Sequence, residues 1–498
     1  MPLSIVYSRA LMDIHSPLIT IEVHLSHGMP GFSIVGLPEA AIRESKERIR
    51  SALMNAHFEF PSHKIIVNLA PANLPKDGSR FDLPIALGIL VASGQLPGAI
   101  LDDYEFIGEL ALSGELRAID GVLPIALATQ KTDRALILPT ENQEEAALVS
   151  SLEVLPAQHL LNVCEHLMGK HKIESYENHS IKQQVVNYLD LSDVRGQQHA
   201  RRALEIAAAG GHSLLLIGPP GTGKTMLASR MPGILSDMND EESIEVAAIA
   251  SISHKGFNVA HWRTRPFRAP HHSASSVALV GGGNPPRPGE ISLAHQGVLF
   301  LDELPEFNRH VLEALREPLE SGTVTISRAA RQSEFPASFQ LIAAMNPCPC
   351  GFLGDPHGDC RCTQEQVQRY RSKISGPILD RIDMHVEVPR LPMMMLSQQR
   401  EEESSQVVRE RVVDAQQRQM NRAHVLNSKL TPKILKQHCE LREKEQKLLD
   451  VAMEKLKLSA RSYHRILRVA RTIADLEYSE NITEKHLAES LSYRRLGR

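Results

Sequence analysis

The run Gly218, Pro219, Pro220, Gly221, Thr222, Gly223, Lys224, Thr225 lies between an apolar stretch, SLLLI, and the start of a helical pattern. In that position a glycine-rich turn lets successive backbone N–H groups and a helix dipole surround a triphosphate. Lys224 is expected to neutralise the β and γ phosphates, and Thr225 to ligate magnesium. Further along, GVLFLDEL sets four apolar residues, Val298 to Leu301, ahead of Asp302 and Glu303. The C-terminal end of such a strand is where an α/β sheet places its ligands. Asp302 would hold magnesium through water, and Glu303 would polarise the attacking water as general base. A third apolar stretch, FQLIAAMNP, ends in Asn346, an amide able to orient that water against the γ phosphate.

A second kind of chemistry follows at once in CPCGFLGDPHGDCRC, where Cys348, Cys350, Cys360 and Cys362 crowd together while Cys164 and Cys439 stand alone. Glycine and proline between the pairs allow four thiolates to converge, and four soft ligands suit tetrahedral zinc. His357 could replace one of them. The competing reading is reduced thiols in a loop, because C-x-C is a tighter spacing than the usual C-x2-C.

The elements that must position these groups divide the chain into three. Its 498 residues exceed one ordinary core, and hydrophobic and charged fractions of 42% and 23% are those of a globular chain. Residues 1–168 alternate short apolar strands (ITIEVHL, KIIVNLA, RALILP) with two helical stretches, EAAIRESKERIRSALMNA and RFDLPIALGILVASGQL, which predicts an α+β domain. A polar stretch, 169–190, reads as a linker. Residues 191–395 begin an α/β sandwich, with a helix over Val194 to Ala209, a buried strand over His212 to Ile217 and a helix over Lys224 to Met231. From 396 to 498 the pattern is helical throughout, predicting an all-α lid domain. The net charge of -4 argues against a wholly basic coat, although a ring could hide a basic lining. No apolar run approaches the roughly 20 residues needed to cross a bilayer, and the start lacks a signal-peptide pattern. A cytoplasmic protein without a membrane partner is expected.

In order and spacing the phosphate loop, the Asp302-Glu303 pair and the Asn346 strand resemble the AAA+ ATPases over about residues 191–498. The resemblance implies ATP and magnesium as cofactors and puts Asn346 at the sensor-1 position. YRSKISGPILDRID is similar to the segment of magnesium-chelatase and replicative-helicase relatives whose arginine reaches the neighbouring subunit's nucleotide. That role maps to Arg381, with Arg369 and Arg371 as nearby competitors; a guanidinium there could stabilise the charge of phosphoryl transfer. SARSYHRILRVA resembles the sensor-2 helix, with Arg461 the first choice and Arg465 the next. RPFRAPHHSASSVALVGGGNPPRPGEI looks like the helix-2 insertion of the same relatives, and residues 311–339 carry a helix and then a hairpin. In helicase-like members both insertions point into the pore, which makes Arg268, His271, His272, Arg328 and Arg331 candidate contacts to a phosphate backbone. The competing reading is solvated loop charge.

IVNLAPANLPKDGSRFDLP and FIGELALSGELRAIDGVLPI look like the Lon-type protease fold, whose enzymes use a Ser and Lys dyad. Aligned on Lys76-Asp77-Gly78, the serine position holds Arg80; aligned on Ile119 to Gly121, the lysine position falls on Ile125. An inactive domain is expected, with Ser79 a loop serine. A Lon-like domain joined to a chelatase-like AAA+ module and a helical lid resembles the YifB/ComM family. Membership implies a homo-hexameric ring that uses ATP to move along single-stranded and branched DNA. It further implies helicase activity promoting branch migration when single-stranded DNA is integrated in natural transformation, alongside a recombinase or other recombination proteins. The alternative, from another class, is a chaperone like magnesium chelatase that remodels a protein partner.

Overall fold

A computed structural model describes residues 3–36, 40–74, 76, 78–177, 188–253, 256–328, 331–356, 358–392, 402–456 and 458–494. The side chains of 40–43, 328 and 331 lie outside the described set, as do His357, Asp77 and residues 178–187 of the linker. The chain forms two compact units that do not follow chain order. One comprises Met1–Gln184, Ser243–Trp262 and Gly283–Arg287, and the other Val185–Glu242, Arg263–Gly282 and Pro288–Arg498.

The first unit is built on a four-stranded sheet in which Leu3–Arg9 pairs antiparallel with Leu18–Ser26, that strand pairs with Lys64–Ala70, and Gly31–Val35 closes the far edge in parallel. Period-two alternation buries Ile19, Ile21, Val23 and Leu25 on one face. Those residues pack with Ile49 and Leu53 of the helix Ala40–Asn55 and with Leu83 to Leu90 of Asp82–Ala92. Each such aliphatic side chain contributes about 1.5–3 kcal/mol on burial. A second cluster joins Leu123 and Ala126 to Leu136, Leu138 and Val154, and is completed by Ala247, Ala248 and Trp262. Ser243–Trp262, which precedes what reads as a helix-2 insertion, therefore belongs to this unit, as does Gly283–Arg287 within that insertion.

The second unit contains a five-stranded parallel sheet in the order Phe267–Arg268, Val298–Leu301, Gln340–Met345, Leu214–Ile217, Met384–Glu387. The strands are apolar on both faces, as a covered parallel sheet requires. Helix Gln198–Gly210 covers it with Ala203, Leu204 and Ala207, joined by Val408 and Val412 of Ser405–Ala423 and by Val469 and Ile473 of Ala460–Leu476. The helical C-terminal region thus shares a core with the sheet and adds a second cluster around Leu435, Leu449 and Leu487. The helix expected over Lys224 to Met231 stops at Ala228 and restarts as Met231–Ile234. Pro232 sits in the first turn of the restart, where its missing N–H costs nothing, whereas a continuous helix could not hold it. Among the described residues no helix is long and apolar enough to cross a membrane.

Candidate nucleotide site

The strand order brings the phosphate loop, the acidic pair and Asn346 to one sheet edge. Leu214–Ile217 ends in Gly218, where a Cβ would stand 2.1 Å from the Val388 carbonyl oxygen, so only glycine fits. Gly221 and Gly223 take φ of 78° and 88°, the left-handed region that favours glycine. The loop then feeds Lys224–Ala228, whose first-turn N–H groups have no intrahelical partner and face the cradle.

Lys224 Nζ donates to the carbonyls of Gly218 at 2.8 Å and Pro219 at 2.9 Å, and to Asn346 Oδ1 at 3.1 Å. Burial pulls its ammonium below the usual lysine range, while Asp302 and Glu303 pull the other way. The residue is thus a partly desolvated cation, held by the loop carbonyls and Asn346 in this structure. Thr225 Oγ1 donates to Asp302 Oδ2 at 2.5 Å, uniting the two groups whose oxygens suit a hydrated magnesium ion. Gly218, Pro219, Pro220, Gly221, Thr222, Gly223, Lys224, Thr225 and Asp302 therefore form one contiguous site, and its hard oxygen donors beside a cationic cradle fit a magnesium-bound triphosphate.

Glu303 is exposed and held at φ 52°, in the left-handed region rare for a non-glycine residue. Its Oε2 meets His272 Nδ1 at 3.2 Å, and the His271 and His272 rings stand 4.1 Å apart. Arg268 is forked onto Glu290 at 2.5 and 2.7 Å. Two residues expected to face DNA thus have protein partners in this structure, whereas His271 is exposed and bonds Ser273. Arg328 and Arg331 are register partners where the strands Thr323–Arg328 and Arg331–Pro336 meet, and their side chains lie outside the described residues.

Arg381 lies apart from the phosphate loop, at the end of the helix Gly376–Arg381. It is only 6% exposed, its Nη2 pairs with Glu320, its Nη1 donates to Pro377 O at 2.9 Å, and Nε is buried without a hydrogen-bond partner. Arg461 Nη2 approaches the same Glu320 carboxylate at 3.7 Å. Arg465 instead binds Asp383 Oδ1 at 2.6 Å. Burial alone would raise that carboxyl, but Arg465, with His212 and the Ser213 N–H, holds it well below the usual carboxylate range. Arg371 donates to Pro347 O at 3.3 Å. Glu320 and Asp383 escaped the sequence reading; the signal for Asp383 was an acid directly before the apolar strand Met384–Glu387, and Glu320 carried none.

The four sulfurs of Cys348, Cys350, Cys360 and Cys362 lie within 4.8 Å of one another. In the first unit, Ser79 donates to Glu109, Lys76 Nζ donates to the Gly36 carbonyl at 2.9 Å and to that of Pro71, and Ile125 is fully buried.

A parallel five-stranded sheet with a phosphate loop, a following acidic pair and a polar sensor on the strand between them defines an AAA+ protein, a class of ATPases that use ATP and magnesium. The family models of "Magnesium chelatase, subunit ChlI" (residues 190–396), "Subunit ChlI of Mg-chelatase" (21–142) and "Magnesium chelatase, subunit ChlI C-terminal" (402–494) match the chain. It is 54% identical to Competence protein ComM of Haemophilus influenzae, over all of this chain and 98% of that protein. It is 50% identical to the protein YifB of Escherichia coli, again over all of this chain and 98% of the relative. The chain belongs to the YifB/ComM family of magnesium-chelatase-like AAA+ proteins.

Proposed function

We propose that this chain is an ATP-driven DNA translocase, acting as a cytoplasmic homo-hexameric ring that promotes branch migration while transforming single-stranded DNA is integrated. The observation that carries the reading is the convergence of Lys224, Asn346, Thr225 and Asp302 at one sheet edge, in a chain 54% identical to a protein named for competence. Magnesium bound at Thr225 and Asp302 would supply charge neutralisation on the phosphates. Lys224 and the loop N–H groups hold the triphosphate, Asn346 orients the lytic water, and Glu303 accepts its proton once released from His272. Arg381 completes the site of the next subunit and Arg461 acts from the lid. The strand pairing of Arg328 with Arg331 supports the hairpin as a DNA contact, and the exposed His271 of the other insertion is a further one. The N-terminal domain is Lon-like without proteolysis, since Ser79 has a carboxylate for its partner and Lys76 is spent on carbonyls. The four clustered thiolates hold a structural zinc ion.

The deciding experiment measures ATP hydrolysis and Holliday-junction or fork unwinding by the purified protein and by Lys224→Ala and Glu303→Gln. Single-stranded DNA should raise hydrolysis, both variants should lose it, and unwinding should follow hydrolysis. An assembled, ATP-hydrolysing protein with neither salt-sensitive DNA binding nor strand displacement would sink the translocase reading. Stimulation by a protein partner in place of DNA would establish the chaperone alternative.

A further inference from the structure

The cysteine loop touches the nucleotide site. Cys348 is fully buried two residues beyond Asn346, and Gly351 N donates to its carbonyl at 3.0 Å, which closes a tight knuckle with Gly351 at φ 86°. A Cβ built on Gly351 would stand 2.7 Å from Pro220 Cδ of the phosphate loop and 3.8 Å from Asn346 Cγ. The knuckle backbone therefore lies close against Pro220 of the phosphate loop and near Asn346, which accepts a hydrogen bond from Lys224. Beside it lies a cavity of about 270 Å³ bordered by Gly218, Pro219, Pro347, Leu353, Asp355 and Arg390. Arg390 holds the outer part of the loop, pairing with Asp355 Oδ2 at 3.4 Å and lying over the Phe352 ring.

The sulfurs gather at the knuckle itself. The Sγ separations are 3.4 Å for Cys348 with Cys350, 3.7 Å for Cys348 with Cys360, and 3.6 Å for Cys350 with Cys360. A tetrahedron with Zn–S bonds of about 2.3 Å has edges of about 3.8 Å. These thiols are free, and such separations are far beyond the roughly 2.05 Å of a disulfide.

We infer that zinc held by Cys348, Cys350, Cys360 and Cys362 braces the phosphate loop and Asn346 through the Gly351 knuckle, so that metal occupancy sets nucleotide affinity. This rests on the zinc part of the function proposed above. By holding the first cysteine pair against the second, the ion fixes where Gly351 presses on Pro220. Without it the knuckle is free to lift into the neighbouring cavity, and the loop N–H groups lose their alignment.

The test measures zinc by elemental analysis and the binding of a fluorescent ADP analogue to full-length protein as purified, after chelation, and after zinc is returned. One zinc per chain is expected, with binding about ten-fold weaker after chelation, equivalent to roughly 1.4 kcal/mol, and restored by zinc. The Cys360→Ser/Cys362→Ser double variant should reproduce the chelated state. Because that variant could misfold, Gly351→Ala supplies a second arm: it keeps all four thiols and places a methyl against Pro220. It should retain zinc, and cobalt in its place should show the intense visible bands of a tetrathiolate, while ADP binding weakens. Absence of zinc from the native protein would end both the zinc reading and the inference. Stoichiometric zinc with unchanged ADP binding after its removal, or in Gly351→Ala, would overturn the brace alone.

Discussion

His272 Nδ1 lies 3.2 Å from Glu303 Oε2, so the proposed general base is held by a residue of the insertion proposed to meet DNA. Both side chains are solvent-accessible, and a pair of this kind contributes at most about 1 kcal/mol. His272→Ala should therefore raise DNA-independent ATP hydrolysis by up to about five-fold and shrink the stimulation by DNA. Steady-state hydrolysis with and without single-stranded DNA reads both quantities. A variant with unchanged basal rate and full stimulation would dissociate this contact from control of the base.

Arg381 and Arg461 converge on Glu320, away from the phosphate loop of their own chain. If Arg381 serves a neighbour, Arg381→Ala should leave nucleotide binding intact while hydrolysis falls by about a thousand-fold or more. Mixing Arg381→Ala with Lys224→Ala subunits should restore hydrolysis, because one supplies the cradle and the other the arginine. Mixtures no more active than either parent would refute action between subunits.

Asp383 is buried against Arg465, His212 and the Ser213 N–H, tying the helix Ala460–Leu476 to the sheet. Arg465→Ala strands that carboxylate and should cost about 3–5 kcal/mol, visible in chemical denaturation. The folded carboxyl titrates below its unfolded range near 3.9. Its contribution is therefore complete above that value and lost as pH falls through the folded pKa. Acid unfolding of the variant should accordingly begin at a higher pH than in the wild type.

In the first unit, Asp82 is 1% exposed, and burial pushes its carboxyl up to about 6 despite the fork from Arg48 at 2.8 and 3.3 Å. Between about pH 4 and 6 the folded state then binds more protons than the unfolded one. Stability should fall across that window by up to roughly 3 kcal/mol and level off above it. Asp82→Asn should flatten the slope, as read from melting temperature against pH.

The proposed ATP site was legible because each of its parts is local. SLLLI, GVLFL and QLIAAM are apolar runs that must be buried, and the polar residues directly after them, Gly218 to Thr225, Asp302-Glu303 and Asn346, fall at strand ends by chain connectivity alone. The four cysteines were legible for the same reason, since their spacing limits how far apart they can move. The arginines and histidines were less so. A charged side chain in a loop has the same sequence signature whether it awaits a phosphate or is already paired, as Arg268 is with Glu290.

The sequence by itself determined the chemical inventory and which strand or loop carries each member of it, because hydrophobic periodicity and glycine placement are properties of neighbouring residues. Tertiary structure alone decided the pairings. The sheet order set Leu214–Ile217 beside Gln340–Met345 and so brought Lys224 to Asn346. It assigned Ser243–Trp262 to the core of the first unit, and gave Glu303, Arg381 and Asp383 the partners His272, Glu320 and Arg465. Those contacts join residues far apart in the chain, and no local pattern encodes them, since they arise only when burial of the apolar runs has fixed which strands lie side by side.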